Sequence, residues 1–429
     1  MTYQDLVDPW IGGPGAKGYP HAAAPLRRSS IAAQHWNVLR GDLPLPAAVI
    51  RRRALQGNLQ WMQQYAREQG VELAPHGKTP MSPQLFAAQL AAGAWGITFA
   101  NVTQARLGLL SGVSRCLIAN QVLAADDLAA IATLLRAHAG ARMPFLVDSN
   151  AQLDLIEAWW RAQSRAPAAF EVLLEVGLDG GRTGCRNHEQ ALALARRLHA
   201  SAAVRLAGIE CYEGLWAKGD QQADRALAQG LMRRVQALAQ QCDQEQLFDV
   251  DEVLLSAGGS AIFDLVAPGL RPALSRPVRG VLRSGCYATH DHGTYKRYMA
   301  AMDSRLSCAH GLQAALEVWT RVQSCPEPGL ALLTAGKRDV SYDIEMPVPV
   351  WRHAPGQAAP EAAPADWRIS AMNDQHAYLR FDAAAPRPPQ VGGLVGLGIS
   401  HPCTTFDKWR WMAVVDDGYD VVDAIVTCF

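Results

Sequence analysis

Lysine is scarce in this chain. Only six of its 40 basic residues are lysines, Lys17, Lys78, Lys218, Lys296, Lys337 and Lys408, and arginine supplies the rest. Net charge is missing as well, because 40 acidic residues balance the 40 basic ones. That balance removes the electrostatic motive for binding nucleic acid or an anionic membrane face. No apolar run approaches bilayer-spanning length, and the opening MTYQDLVDPW lacks a basic region followed by an apolar core, which argues against a membrane span or an export signal. Nine scattered cysteines, an odd number, do not form the even framework of a small secreted fold. The expectation is a cytoplasmic protein in a reducing compartment, with a small zwitterionic partner.

At 429 residues the chain exceeds the usual single domain, so two are expected. Eight short apolar runs recur at 71–75, 95–100, 115–119, 143–147, 170–176, 206–211, 251–256 and 280–283. Amphipathic segments such as 84–92, 124–137, 150–162, 188–200 and 222–241 lie between them. Runs buried on both faces and alternating with helices predict an α/β fold, a parallel (β/α)8 TIM barrel, over 46–298. This span includes a predicted strand at 45–50 and the helix that follows it. Beyond Tyr298 the segments LEVWTRVQS, GLALLTAG, RISAMNDQHAYLRF, WMAVVDD and VVDAIVTCF alternate as strands do, so 299–429 is expected to be an all-β domain without a long helix. The first 45 residues are irregular, and their GGPGAKG is a loop, since Ala16 replaces the phosphate-loop glycine and neither Ser nor Thr follows Lys17. The Ala/Pro-rich stretch 353–367 reads as an exposed insertion between strands.

Lys78 stands in LAPHGKTP at the end of the first barrel run. A lysine partly withdrawn from water at a strand end can form a Schiff base with an aldehyde cofactor, which arginine cannot do; the plainer reading is a surface lysine. In a barrel of this kind, phosphate is commonly held by the loops after strands seven and eight. Those loops read SAGGSA and RSGCY, so Ser256, Gly258, Gly259, Ser260, Gly285 and Tyr287 form a candidate cradle. A lysine and a phosphate cradle in one barrel mouth point to pyridoxal 5′-phosphate. Arg182, in GLDGGRTGC, is a candidate to face the cofactor phenolate or a substrate carboxylate, with a solvated loop arginine as the plainer reading, and Tyr212, in ECYEG, is a candidate to approach the pyridine nitrogen. His401 and Cys403, two apart in SHPCTTF, make a zinc-type pair. His376 is a possible base, a further ligand or a structural histidine, and THDHG, with His290 and His292, reads as a loop after strand eight.

Read together, HGKTP, GRTGC, YEG, SAGGS, SGCY and HPC resemble, in order and approximate spacing, the D-serine dehydratase and D-threonine aldolase group of alanine-racemase-like enzymes. The resemblance covers about residues 45 to 429. It implies Lys78 as the Schiff-base lysine, an N-terminal segment joined to the β-domain, a homodimer, and His401 with Cys403 as ligands of Zn2+ or another divalent metal such as Mn2+. The dehydratases of this group pair His with Cys where the aldolases pair His with Asp, so Cys403 favours a lyase that dehydrates a D-3-hydroxy amino acid, releasing a 2-oxo acid and ammonia. Retro-aldol cleavage and a non-catalytic cofactor carrier are the alternatives, and D-serine or D-threo-3-hydroxyaspartate are the candidate substrates. The chain departs from the group's pattern at Ala74, where a basic residue is usual, in HGKT for HAKT, and in DQH for EEH near His376.

Overall fold

The eight apolar runs become eight parallel strands, Glu72–Leu73, Ile97–Phe99, Cys116–Gln121, Phe145–Val147, Phe170–Val176, Val204–Cys211, Val253–Ala257 and Val278–Leu282, in a computed structural model that describes residues 2–13, 15–306 and 311–429. Each strand pairs with the next from the second to the eighth, and the eighth returns to pair with the first. Between the first and second strands the ladder is interrupted at Pro75, which has no N–H to give. The ring closes around it through Thr98 N–H to the Pro75 carbonyl at 2.9 Å and Gly77 N–H to the Thr98 carbonyl at 2.7 Å. Leu117, Leu146, Leu173, Ala207, Leu254 and Val281, one from each of six strands, meet inside with Ala74 and Trp95, making the interior a packed core.

The helices between the strands follow from their caps and stripes. Asn101, Ser149, Asn187 and Asp220 each accept the backbone N–H three residues on, satisfying a donor the helix cannot. In the longest, Gln221–Gln244, the buried residues Ala228, Leu231, Met232, Val235, Leu238, Ala239 and Cys242 keep helical spacing and form one stripe.

The chain divides into two units. The barrel comprises Met62–Lys78 and Phe86–Gly285; the other comprises the residues up to Trp61, Thr79–Leu85 and Cys286–Phe429. The division differs from the boundaries 46–298 and 299–429 in two places. The strand expected at 45–50 forms as Ala47–Arg51, but it pairs antiparallel with Leu316–Glu327 and parallel with Trp411–Val415, so it belongs to the β unit. A 13-residue helix, Thr294–Leu306, runs across the expected boundary at 298, where no long helix was anticipated. Its start is fixed by Asp291, whose carboxylate accepts the N–H groups of Gly293, Tyr295 and Lys296.

The β unit is built on the long strand Leu316–Glu327, which pairs with Ala47–Arg51, Leu330–Leu333 and Leu394–Gly398. The insertion 353–367 contributes one short edge strand, Glu361–Ala362, against Trp351 and Arg352. Ile11, Tyr19, Ile31, Val38 and Leu43 from the N-terminal segment share a core with Trp319, Trp411 and Tyr419. Lys17 proves structural, its ammonium donating to the Arg338 carbonyl at 2.7 Å and to Asp339 at 2.8 Å. Among the described residues no helix is long and apolar enough to cross a membrane.

Candidate active site

In the barrel, the chain beyond the first strand turns at 77–80 and leaves Lys78 exposed at the strands' C-terminal end. His76, two residues earlier, has its pKa held well below the usual value, chiefly by burial and then by the charges of Lys78, Arg283 and Arg182. Its imidazole is therefore neutral, and the buried Nδ1 has no hydrogen-bond partner. A Cβ on Gly285 would come within 2.7 Å of the His76 carbonyl, so only glycine permits that approach.

Arg283, just past the eighth strand, is buried and points across the barrel. It donates to Ser256 Oγ at 2.6 Å, to the Cys211 carbonyl at 3.2 Å and to the Glu210 carboxylate. Burial, reinforced by Glu175 and Glu213 and opposed by Arg283, pushes the Glu210 carboxyl up to about 8, and its Oε2 is buried without a partner. Neither Arg283 nor Glu210 was singled out in the sequence, although the arginine opens the RSGCY motif.

Arg182 stands exposed on the loop after the fifth strand, its guanidinium 5.1 Å from the Tyr212 ring centroid. The loop beneath is held by carbonyls turned onto two other arginines. Arg186 takes those of Gly181, Thr183 and Gly184, and Arg234 those of Gly177, Cys185 and Arg186. Tyr212 itself lies on the glycines, since a Cβ at Gly259 would meet its ring at 3.0 Å.

At the expected phosphate cradle several of the groups have partners within the chain. Ser256 is turned into the barrel, where its hydroxyl donates to the Val281 carbonyl at 3.1 Å and accepts from Arg283. The N–H groups of Gly258 and Gly259 are also taken, donating to the two oxygens of the buried Glu213 carboxylate at 3.1 and 2.6 Å. Ser260 and Gly285 remain at the loop ends, and Tyr287 is buried in the turn Cys286–Ala288 of the β unit.

Within the β unit a second group forms around Cys403. Its sulfur lies 3.2 Å from Thr79 Oγ1 and 3.9 Å from Cys286 Sγ. The Cys286 contact, then His401 and Thr79, hold the Cys403 thiol well below its usual pKa against the opposing effect of burial. The Cys286 thiol is pushed up by the same contact and by burial, so of the two thiols Cys403 is the one favoured to ionise. Burial pulls the His401 imidazole down, but Cys403 and Asp343 outweigh it and hold it at about 9. His401 Nδ1 faces Asp343 Oδ2 at 2.6 Å, and Thr404 anchors the other carboxylate oxygen at 2.6 Å.

His376 sits in the turn between Arg368–Met372 and Ala377–Arg380, and among the described residues no hydrogen bond joins its side chain to His401 or Cys403. His290 and His292 lie in the loop expected after strand eight, both held neutral at about 4, chiefly by burial.

Both groups fit what the motifs ask of them. An anionic aldehyde cofactor would find the Lys78 amine, two further cationic side chains, Arg182 and Arg283, around His76, and two buried polar atoms without a hydrogen-bond partner among the described residues, His76 Nδ1 and Glu210 Oε2. A divalent metal would find the Cys403 sulfur, whose pKa is held low, and, with Asp343 on Nδ1, an imidazole whose Nε2 becomes a ligand once the metal displaces its proton. Among the described residues no group of three or more His, Cys, Asp or Glu side chains is arranged to hold a metal, so this pair would leave the other positions to water or substrate.

Residues 50–272 match the family model described as "Alanine racemase, N-terminal domain", and residues 315–415 match "Putative serine dehydratase domain". A D-threonine aldolase from Arthrobacter sp. is 29% identical over 373 residues, covering 87% of this chain and 89% of the relative. A D-threo-3-hydroxyaspartate dehydratase from Delftia sp. (strain HT23) is 38% identical over 174 residues, 40% of this chain and 44% of the relative. The crystal structure of D-threonine aldolase from Filomicrobium marinum superposes with a TM-score of 0.74 at 25% identity, covering 90% of this chain and 95% of that one.

Proposed function

We propose, for a chain that belongs to the D-serine dehydratase-like family of alanine-racemase-type pyridoxal-phosphate enzymes, a metal-dependent deaminase that eliminates water from a D-3-hydroxy amino acid and releases a 2-oxo acid and ammonia. The observation that carries this reading is the geometry of Cys403, its sulfur 3.2 Å from Thr79 Oγ1, together with the Asp343-backed His401 two residues before it, the His and Cys pair expected of the dehydrating members.

Bound pyridoxal phosphate supplies the electron sink that acidifies the substrate Cα–H, and a divalent metal supplies Lewis-acid assistance to departure of the 3-hydroxyl. Lys78 would hold the cofactor aldehyde, and its amine, when free, would take the substrate Cα proton. Arg182, exposed on a braced loop and in no salt bridge among the described residues, receives the substrate carboxylate. His401 Nε2 and the Cys403 sulfur would hold the metal, with Asp343 fixing the imidazole through Nδ1 and Cys286 and Thr79 in contact with the Cys403 sulfur. Loss of the Cα proton and the hydroxyl gives an enamine, whose hydrolysis in water yields the oxo acid and ammonia. A homodimer and a cytoplasmic location belong to the same reading.

Retro-aldol cleavage is the second reading, favoured by the D-threonine aldolase relative that spans most of the chain. The product balance separates the two. Protein loaded with pyridoxal phosphate and Zn2+ or Mn2+ is incubated with D-serine, D-threonine or D-threo-3-hydroxyaspartate, and all products are quantified. Oxo acid with equimolar ammonia supports the deaminase, whereas glycine with an aldehyde assigns the chain to the aldolases.

A further inference from the structure

The two consecutive N–H groups of Gly258 and Gly259 converge on one point, forming the kind of backbone nest that ordinarily receives an anion. Here the anion belongs to the chain. Glu213, fully buried at the end of the sixth strand, places one oxygen 3.1 Å from Gly258 N and the other 2.6 Å from Gly259 N. The conformation is committed to this contact. Gly258 has φ +96°, and an added Cβ would meet Leu282 at 2.7 Å, while one on Gly259 would meet the Tyr212 ring at 3.0 Å.

The same loop is fixed from its other side. Ser284 Oγ, just beyond the eighth strand, donates to the Gly259 carbonyl at 2.8 Å. Carbonyl and N–H point in opposite directions across a trans peptide, so this bond turns the N–H of Ser260 away from Ser284. Glu213 and Ser284 together therefore determine which way the loop after strand seven presents its next donors. They hold it from two neighbouring loops, without lending either of the Gly–Gly N–H groups to a ligand.

We infer that Glu213 is a positioning residue for the cofactor phosphate: its carboxylate closes the Gly258–Gly259 nest permanently and orients the loop so that the phosphate is taken at Ser260 and beyond, not at the glycine pair. This rests on the pyridoxal-phosphate reading above. It opposes a second view of the same contact, in which Glu213 merely occupies the phosphate position and leaves when cofactor arrives.

The test compares pyridoxal 5′-phosphate with pyridoxal, which carries the same aldehyde but no phosphate, by equilibrium titration of the cofactor-free full chain. The visible absorbance of the lysine-bound aldehyde reports binding. In Glu213→Ala the preference for the phosphorylated aldehyde is expected to fall at least tenfold, with pyridoxal affinity unchanged. Glu213→Gln, which keeps one accepting oxygen and the side-chain shape, is expected to fall between Glu213→Ala and the unaltered protein, and it serves alone if the alanine variant does not fold. An unchanged or increased preference in the variants overturns the inference, as does an equal loss for both aldehydes. If the unaltered protein binds neither aldehyde, the cofactor reading itself fails, a result distinct from either.

Discussion

His401 Nδ1 lies 2.6 Å from the Asp343 carboxylate, across 58 residues of sequence. A carboxylate there fixes the imidazole so that the opposite nitrogen would be the one to meet a metal, and it raises that nitrogen's basicity. Replacing Asp343 with Asn is expected to weaken Zn2+ or Mn2+ binding by roughly 10- to 100-fold, the usual cost of losing such a partner. Competition against a chromophoric chelator measures this directly, and the lysine-bound cofactor absorbance should stay as it was.

The two residue groups are expected to fail separately. Lys78→Ala should abolish both the cofactor absorbance and turnover, because Lys78 is the lysine whose charge acts on the buried His76 beside the first strand's end. Cys403→Ala should lose metal and turnover while keeping the absorbance. Retained turnover in Lys78→Ala would remove the lysine from the mechanism.

Glu210 makes a pH prediction. Its folded carboxyl titrates at about 8, far above an ordinary glutamate, so the folded state holds a proton that the unfolded chain has released. The stability this proton contributes is complete below about pH 4.3, the ordinary glutamate value, and is lost as pH rises towards 8. The unfolding free energy of the cofactor-free protein should therefore decline across that window, by an amount on the order of a few kcal/mol. Glu210→Gln should flatten the decline, as chemical denaturation at pH 5, 6.5 and 8 would show; an identical slope in both proteins would reject the assignment.

The barrel was legible because a strand buried on both faces leaves a continuous apolar run, and all eight runs became strands. The strand at 45–50 was equally visible, but its sheet was not. Val49 pairs with Glu317, a choice made between distant segments that no local period records. The helix Thr294–Leu306 was hidden by its cap, since an Asp between two histidines looks like loop chemistry until its carboxylate is seen on three N–H groups.

The site divides in the same way. Lys78, Arg182, His401 and Cys403 announce themselves by residue type in short motifs. Asp343, Glu210 and Glu213 do not, because what marks each is its contact with a partner from a distant segment. The glycines of SAGGSA were read as free donors because sequence shows a nest but not what fills it. The filling carboxylate comes from a different strand end, 45 residues before Gly258.

The central claim is best tested by one measurement, the release of 2-oxo acid from D-serine and from D-threo-3-hydroxyaspartate by the pyridoxal-phosphate-loaded protein, with and without EDTA. The account predicts oxo acid from at least one of the two, lost on chelation and restored by Zn2+ or Mn2+. Release that persists at full rate after the metal is stripped, or glycine and aldehyde in place of oxo acid and ammonia, would contradict it.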